Sequence, residues 1–141
     1  MNALIYFSFS QTKFNKLLLA ELEITSKKNN HNLNITGILS YHNNYFYQYL
    51  EGDERLNILM HKIENDNRHT IEKILHFDNL TDRIFPKCYM KCVEYNQNIL
   101  TEDLLIRNLF SFVKNEKPVN IFVKSSFIQN LITIKNQLWY N

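Results

Sequence analysis

The chain has few of the residues that punctuate or staple a fold. Of its 141 residues, two are glycine, two proline and two cysteine. With Gly37 and Gly52 the only glycines, neither G-x-G-x-x-G nor G-x-x-x-x-G-K can be written. A glycine-rich phosphate loop is therefore excluded, and any phosphorylated ligand must be held another way. On a strand, Cys88 and Cys92 would share a face but lie too far apart to bridge. They read as free thiols of a reduced, cytoplasmic chain. No run approaches the roughly 20 apolar residues of a membrane span. Met1-Asn2-Ala3-Leu4 has no basic segment before its short apolar run, so no secretory signal is expected. An excess of one charge is also missing: 16 Lys+Arg against 14 Asp+Glu give a formal +2. That is too balanced for a strong nucleic-acid footprint. The five histidines have no H-E-x-x-H or C-x-x-C companion, so no metal site is expected.

Apolar material is plentiful. Hydrophobic residues make up 45% and aromatics 13% of the chain, which rules out disorder and a coiled coil. The length fits one domain that removes roughly two-thirds of its surface from water. Residues 3–9, ALIYFSF, predict a strand. Ser10 or Thr12 offers an N-cap for a helix over about 12–28, with Phe14, Leu17, Leu18 and Leu22 on one face. The polar cluster from Lys27 to Asn32 should end it. Strands over 35–41 and 45–51 flank His42-Asn43-Asn44, a turn whose asparagines tolerate positive φ. Asp53 is an N-cap for a helix over about 54–64, where Leu56, Leu59, Met60 and Ile63 recur at helical spacing. Strands over about 70–77 and 88–95 follow, separated by a loop with Pro86. The order β-α-β-β-α-β-β is ferredoxin-like, an α+β fold, with a fifth strand added. Two further helices are expected over about 102–114 and 119–138, too apolar to float free of the sheet or of a partner chain.

Two polar residues stand where core is expected. In Tyr45–Glu51, the residues Phe46, Gln48 and Leu50 share one face, so Gln48 points from an apolar surface. Each buried amide group left unmet costs roughly 1–3 kcal/mol, so something polar lies opposite it. Tyr6 shares a face with Leu4 and Ser8 in a strand that should be central. Either the two polar side chains satisfy each other, or both point at a ligand between sheet and helices. Asn29-Asn30 alone reads as a helix cap and Arg68-His69 as solvated surface. Ser8 and Ser10 have no base and orienting group beside them in sequence.

Taken in order, several blocks resemble the BLUF family of blue-light sensors that use FAD. Leu4-Ile5-Tyr6-Phe7-Ser8 is similar to its opening strand with a tyrosine. Asn29-Asn30, then Asn34-Ile35-Thr36-Gly37-Ile38-Leu39, resembles its N-N and I-T-G block. Phe46-Tyr47-Gln48-Tyr49-Leu50-Glu51-Gly52 resembles its F-x-Q-x-L-E-G strand, the most specific piece. Ile63-Glu64-x-Asp66-x-Arg68-His69 is similar to the segment after its second helix, and Arg83-x-Phe85-Pro86 with Met90 to the approach to its fifth strand. The resemblance covers about residues 2–95. It implies a photosensory domain over 1–97, with flavin between sheet and two helices, and a helical cap or output segment over 98–141, as in members without a fused output enzyme.

By the same resemblance, Tyr6 would give an electron and a proton to the excited flavin, and Gln48 would lie between Tyr6 and the flavin ring. Asn30 and Asn29 would hold the ring, and Arg68, His69 and Asp66 would contact its pyrimidine and ribityl side. Met90, on the fifth strand, would carry the change outward to a downstream signalling protein or a homo-oligomer interface. FMN and riboflavin carry the same ring and are admissible in place of FAD. Many members have a tryptophan two positions before the methionine; here that position is Cys88, and the one tryptophan is Trp139. Two other functions fit the fold class. An RNA-binding module would stack bases on Tyr45, Tyr47 and Tyr49, though the glycine of its strand motif is missing. A small acyl-phosphate hydrolase would need an early arginine, and none precedes Arg55.

Overall fold

A computed structural model describes residues 1–94 and, further on, residues 128–129, 131–133 and 135–136, all helical. The expected helix over 102–114 and most of that over 119–138 lie outside the described residues. The chain divides into two compact units, Met1–Glu94 and Tyr95–Asn141.

In the first unit the elements are β1 (Asn2–Ser10), α1 (Lys16–Asn32), β2 (Thr36–His42), β3 (Tyr45–Gly52), α2 (Leu56–Glu64), β4 (His69–Phe77) and β5 (Cys92–Glu94). The sheet order is β4-β1-β3-β2-β5. The first four strands pair antiparallel, and β5 adds parallel to β2 with Leu39 opposite Cys92. This is the α+β ferredoxin-like fold. Asn43 and Asn44 take φ of 50° and 67°, the left-handed pair that a tight β2–β3 turn requires.

Four boundaries differ from the sequence reading. Helix α2 starts at Leu56 with Arg55 at its cap position, while Asp53 accepts from the Arg55 N–H at 2.9 Å and does not cap the helix. Helix α1 starts at Lys16, because Asn15 caps it by accepting from the Leu18 N–H at 2.8 Å. Ser10 instead directs its hydroxyl to the Thr12 carbonyl. With Phe14 ahead of the helix, the inward stripe becomes Leu18, Leu19 and Leu22, and Leu17 is 67% exposed. The helix also runs through the polar cluster to Asn32 and stops before Asn34, whose φ is 53°. Asn30 thereby falls on the buried face of the last turn. The fourth difference is β5: residues 88–91 approach β2 without forming a regular strand, so Met90 precedes β5 and does not lie on it.

The core lies between the helices and one sheet face. Leu4, Tyr6, Leu39, Phe46, Leu50 and Met90 pack there against Leu56, Leu59 and Met60 of α2. A bulge in the β1–β4 pairing shifts the register between Phe7 and Ser8, so Phe7 faces Lys73 and Ser8 faces Ile71. The extra residue reverses the alternation of β4. His69 and Ile71 thus share the face of Tyr6 and Ser8, where an unbroken ladder would have put Thr70 and Glu72.

Candidate functional site

Between the helical layer and this face lies a cleft of about 160 Å³. Tyr6 from β1, Gln48 from β3 and Asn30 from α1 contribute its polar floor. Phe14, Leu22, Leu39, Phe46, Leu59 and Ile63 supply apolar lining. Thr25, Ser26, Asn29, Lys62, Asp66, Arg68 and His69 complete it. The structure thus brings seven of the expected residues, Tyr6, Asn29, Asn30, Gln48, Asp66, Arg68 and His69, to one cleft. Met90 lies immediately beside it.

The floor is a chain of buried hydrogen bonds. The Tyr6 hydroxyl donates to Gln48 Oε1. Gln48 Nε2 then points at the Met90 sulfur, 3.6 Å away. Tyr6, Gln48 and Met90 are 4%, 5% and 0% exposed, so these contacts are nearly withdrawn from bulk water. Burial pushes the Tyr6 phenol far above its ordinary range, and the negative charge of Asp66 adds to the effect. The phenol is therefore a donor and stays protonated at any physiological pH. A thioether is a weak acceptor, so the amide is held firmly at its oxygen and loosely at its nitrogen.

Asn30 donates from Nδ2 to the Tyr89 carbonyl at 2.7 Å. Its side chain makes no other hydrogen bond among the described residues, so its oxygen can serve a ligand. Arg68 is paired with Asp66 through Nε at 3.0 Å and Nη2 at 2.7 Å, with its guanidinium carbon 5.8 Å from the centre of the Phe14 ring. Hydrogen bonding from Arg68 holds the Asp66 carboxyl below its usual range. His69 differs from expectation. Its Nε2 lies 2.7 Å from the Ile63 carbonyl and its Nδ1 2.8 Å from Ser8 Oγ. A carbonyl only accepts, so Nε2 carries a proton and donates to it, while the Ser8 hydroxyl occupies Nδ1. Both nitrogens are engaged by protein, leaving ring carbons to meet a ligand. The sequence could not reveal this pair, since residues 8 and 69 meet only through the bulged register. Ser8 is fully buried and is no exposed nucleophile.

The residues fit a flat heteroaromatic ring. The apolar lining suits the faces of such a ring, and Gln48 and Asn30 can match an edge carrying both donors and acceptors. Tyr47 and Tyr49 are 3% and 2% exposed, so the three-tyrosine platform of an RNA binder is not presented to solvent.

A ferredoxin-like sheet with a polar-floored, apolar-walled cleft under its helices defines a small ligand-holding module. A model described as sensors of blue-light using FAD, the BLUF family, matches residues 1–91. The chain belongs to this family of blue-light sensors, and its cofactor is FAD. It is 32% identical over 138 residues to photoactivated adenylate cyclase subunit beta of Euglena longa, covering 96% of this chain and 16% of that protein. Among solved structures, the photo-activated state of BlsA is 28% identical with a TM-score of 0.66, covering 94% of this chain and 95% of that one. A bacterial light-regulated adenylyl cyclase is 33% identical with a TM-score of 0.65, covering 80% of this chain and 33% of that one. The chain thus spans a minor part of both cyclases.

Proposed function

We propose that this chain senses blue light through Tyr6 and Gln48 and passes the change on through Met90. The observation that carries the reading is the buried line Tyr6–Gln48–Met90 along the floor of the cleft. Bound FAD supplies the visible absorption and, once excited, a ring able to take one electron. Tyr6 is the electron donor. Its phenol holds its proton tightly in the dark, so electron loss comes first and makes the hydroxyl acidic. The proton then has an acceptor already in hydrogen-bond contact, Gln48 Oε1. As the electron and the proton return to Tyr6, the Gln48 amide is left turned by half a turn, with Nε2 toward the Tyr6 oxygen and Oε1 toward the Met90 sulfur, so that the net change is the amide's orientation alone. That sulfur has no proton to give, so the rotated amide releases Met90. A rearranged buried network of this size is enough to bias a two-state element.

Asn30 and Asn29 hold the ring, and Arg68, Asp66 and His69 line its more exposed side. Output runs to a downstream signalling protein or to a second copy of this chain in the cytoplasm. The apolar excess of residues 102–138 supports the second route, and light scattering on dark and lit protein tests it: a monomer at tens of micromolar in both states would remove it. The decisive experiment is an absorption spectrum with saturating FAD before and after blue light. A reversible red shift without lasting bleaching is expected. No visible absorption would refute the reading, and full bleaching to reduced flavin would refute the mechanism alone.

A further inference from the structure

Three sequence blocks have no part in the cleft: Thr36 of the I-T-G block, Glu51 after Gln48, and Arg83-x-Phe85. They meet on the opposite face of the sheet. Glu51 is fully buried there, and four donors converge on its two carboxyl oxygens. Thr36 Oγ1 reaches Oε1 at 3.0 Å and the Phe85 N–H reaches it at 2.6 Å. The Tyr49 hydroxyl reaches Oε2 at 2.9 Å and the Ile84 N–H at 2.8 Å. Arg83 closes the arrangement through Nη1 on Thr36 Oγ1 at 2.9 Å and on the Glu51 carbonyl at 3.1 Å, with Nη2 on the Asn34 carbonyl at 2.7 Å. All four groups on the carboxyl oxygens can donate, as an ionised carboxylate requires.

This cluster fixes one end of a segment whose other end enters the cleft. From Ile84 and Phe85 the chain passes the edge of β2. The Gly37 N–H donates to the Cys88 carbonyl at 2.8 Å and the Leu39 N–H to the Lys91 carbonyl at 2.9 Å. Between those two bonds the Tyr89 carbonyl meets Asn30 and the Met90 sulfur meets Gln48. The segment is thus tied firmly outside the cleft and, inside it, firmly at the Tyr89 carbonyl and weakly at the Met90 sulfur.

We infer that Glu51 is a positioning residue for the Gln48–Met90 contact: its carboxylate anchors residues 84–85, so that the segment beyond them presents Met90 to Gln48 and moves about a fixed end when that contact breaks. The inference rests on the proposed role of Gln48 and Met90. A mobile anchor would let Met90 wander in the dark and would absorb its displacement in the light. Glu51→Gln keeps shape but sets an amide N–H against one of the backbone N–H donors.

The test uses full-length, FAD-saturated protein with 13C-methyl methionine. Met1, Met60 and Met90 are its three methionines, and Met60, packed in the same core, is the internal control. In Glu51→Gln in the dark, the Met90 methyl signal should shift or broaden while Met60 stays in place. Amide exchange at Ile84 and Phe85 should rise about 10- to 100-fold, as expected for lost bonds to a charged acceptor. The red shift should still form, with a dark recovery altered at least about threefold. Thr36→Val should reproduce a weaker form of this and Thr36→Ser should restore wild-type behaviour, which keeps the test available if Glu51→Gln does not fold. Unmoved Met90 signals in the folded variants, or Met60 moving as far as Met90, would overturn the inference. A wild-type protein without any red shift would instead overturn the photosensory reading, while the dark methyl signals would still decide the anchor.

Discussion

Removing the Tyr6 hydroxyl tests the cleft most directly. In Tyr6→Phe, Gln48 Oε1 loses the one donor it has among the described residues, in a place nearly closed to bulk water. An unmet buried acceptor costs about 1–3 kcal/mol. Gln48→Leu does the converse and strands the phenol, at a similar cost. The double variant strands neither group, and replacing both partners by apolar groups of similar shape is nearly neutral. The two single losses should therefore exceed the double loss, with a coupling of about 1–3 kcal/mol against the roughly 0.5 kcal/mol scatter of independent sites. Urea unfolding at one saturating FAD concentration measures it, with each variant's FAD affinity determined so that ligand stabilisation is subtracted. The same proteins under blue light supply the second arm: each single variant should stay yellow and lose the stable red shift. Additive losses would show that the two side chains are not bonded to each other, and a normal photocycle in Tyr6→Phe would remove Tyr6 as the donor.

Gly37→Ala should be severely destabilising, by about 1–3 kcal/mol or more, because a Cβ there would lie 1.9 Å from the Tyr49 carbonyl oxygen, a backbone atom that no rotamer can move aside. Gly52→Ala, whose Cβ would meet Ile35 Cγ1 at 3.1 Å, should cost clearly less in the same thermal melts, and equal losses would refute the argument. The Asp53 carboxyl, held down by hydrogen bonds from Arg55, should titrate at about 2 rather than 3.8 in a 13C-carboxyl NMR series. Because that folded value is depressed, its contribution to stability is present above the unfolded value and is lost as pH falls toward 2; Arg55→Met should return the midpoint toward normal. Met90→Ala should cost about 2–5 kcal/mol and alter dark recovery. Cys88→Ala, at a half-buried thiol outside the cleft, should leave the spectrum and recovery unchanged.

The elements were legible because each carries its own signal: a short apolar run of strand formers in β1, alternation in β3, helical spacing in α2, and an asparagine pair at the β2–β3 turn. Gln48 and Tyr6 were legible as polar intrusions into that pattern, and the structure shows them bonded to each other and lining the cleft. What stayed hidden depends on register and on distance in sequence. The bulge at Phe7/Ser8 decides that His69 faces the cleft, and nothing in the composition of β4 announces it. The inward turn of Asn30 depends on α1 continuing through Lys27-Lys28-Asn29-Asn30, a stretch whose polarity reads as an end. Glu51 shows the same limit: on a strand its parity places it beside Tyr47 and Tyr49, but its donors at residues 84 and 85 come from a loop without periodicity.

The departure at Cys88 acquires a physical meaning from these contacts. Its thiol, raised by burial, lies 3.5 Å from the Gly37 carbonyl at the edge of β2, away from Gln48. The place beneath Gln48 is filled by Met90, with no exposed surface. A mechanism in which an indole and a methionine exchange places would need a second bulky side chain within reach, and position 88 holds a small one already engaged at the strand edge. In the proposed reading, change at Gln48 leaves the cleft through Met90 and the backbone that carries it. That backbone is tied to Asn30 at Tyr89 and to Glu51 at Ile84 and Phe85. Both ties precede Met90, one inside the ligand cleft and the other outside it, so in the proposed reading a displacement of Met90 is restrained on its N-terminal side and is directed toward Lys91 and β5.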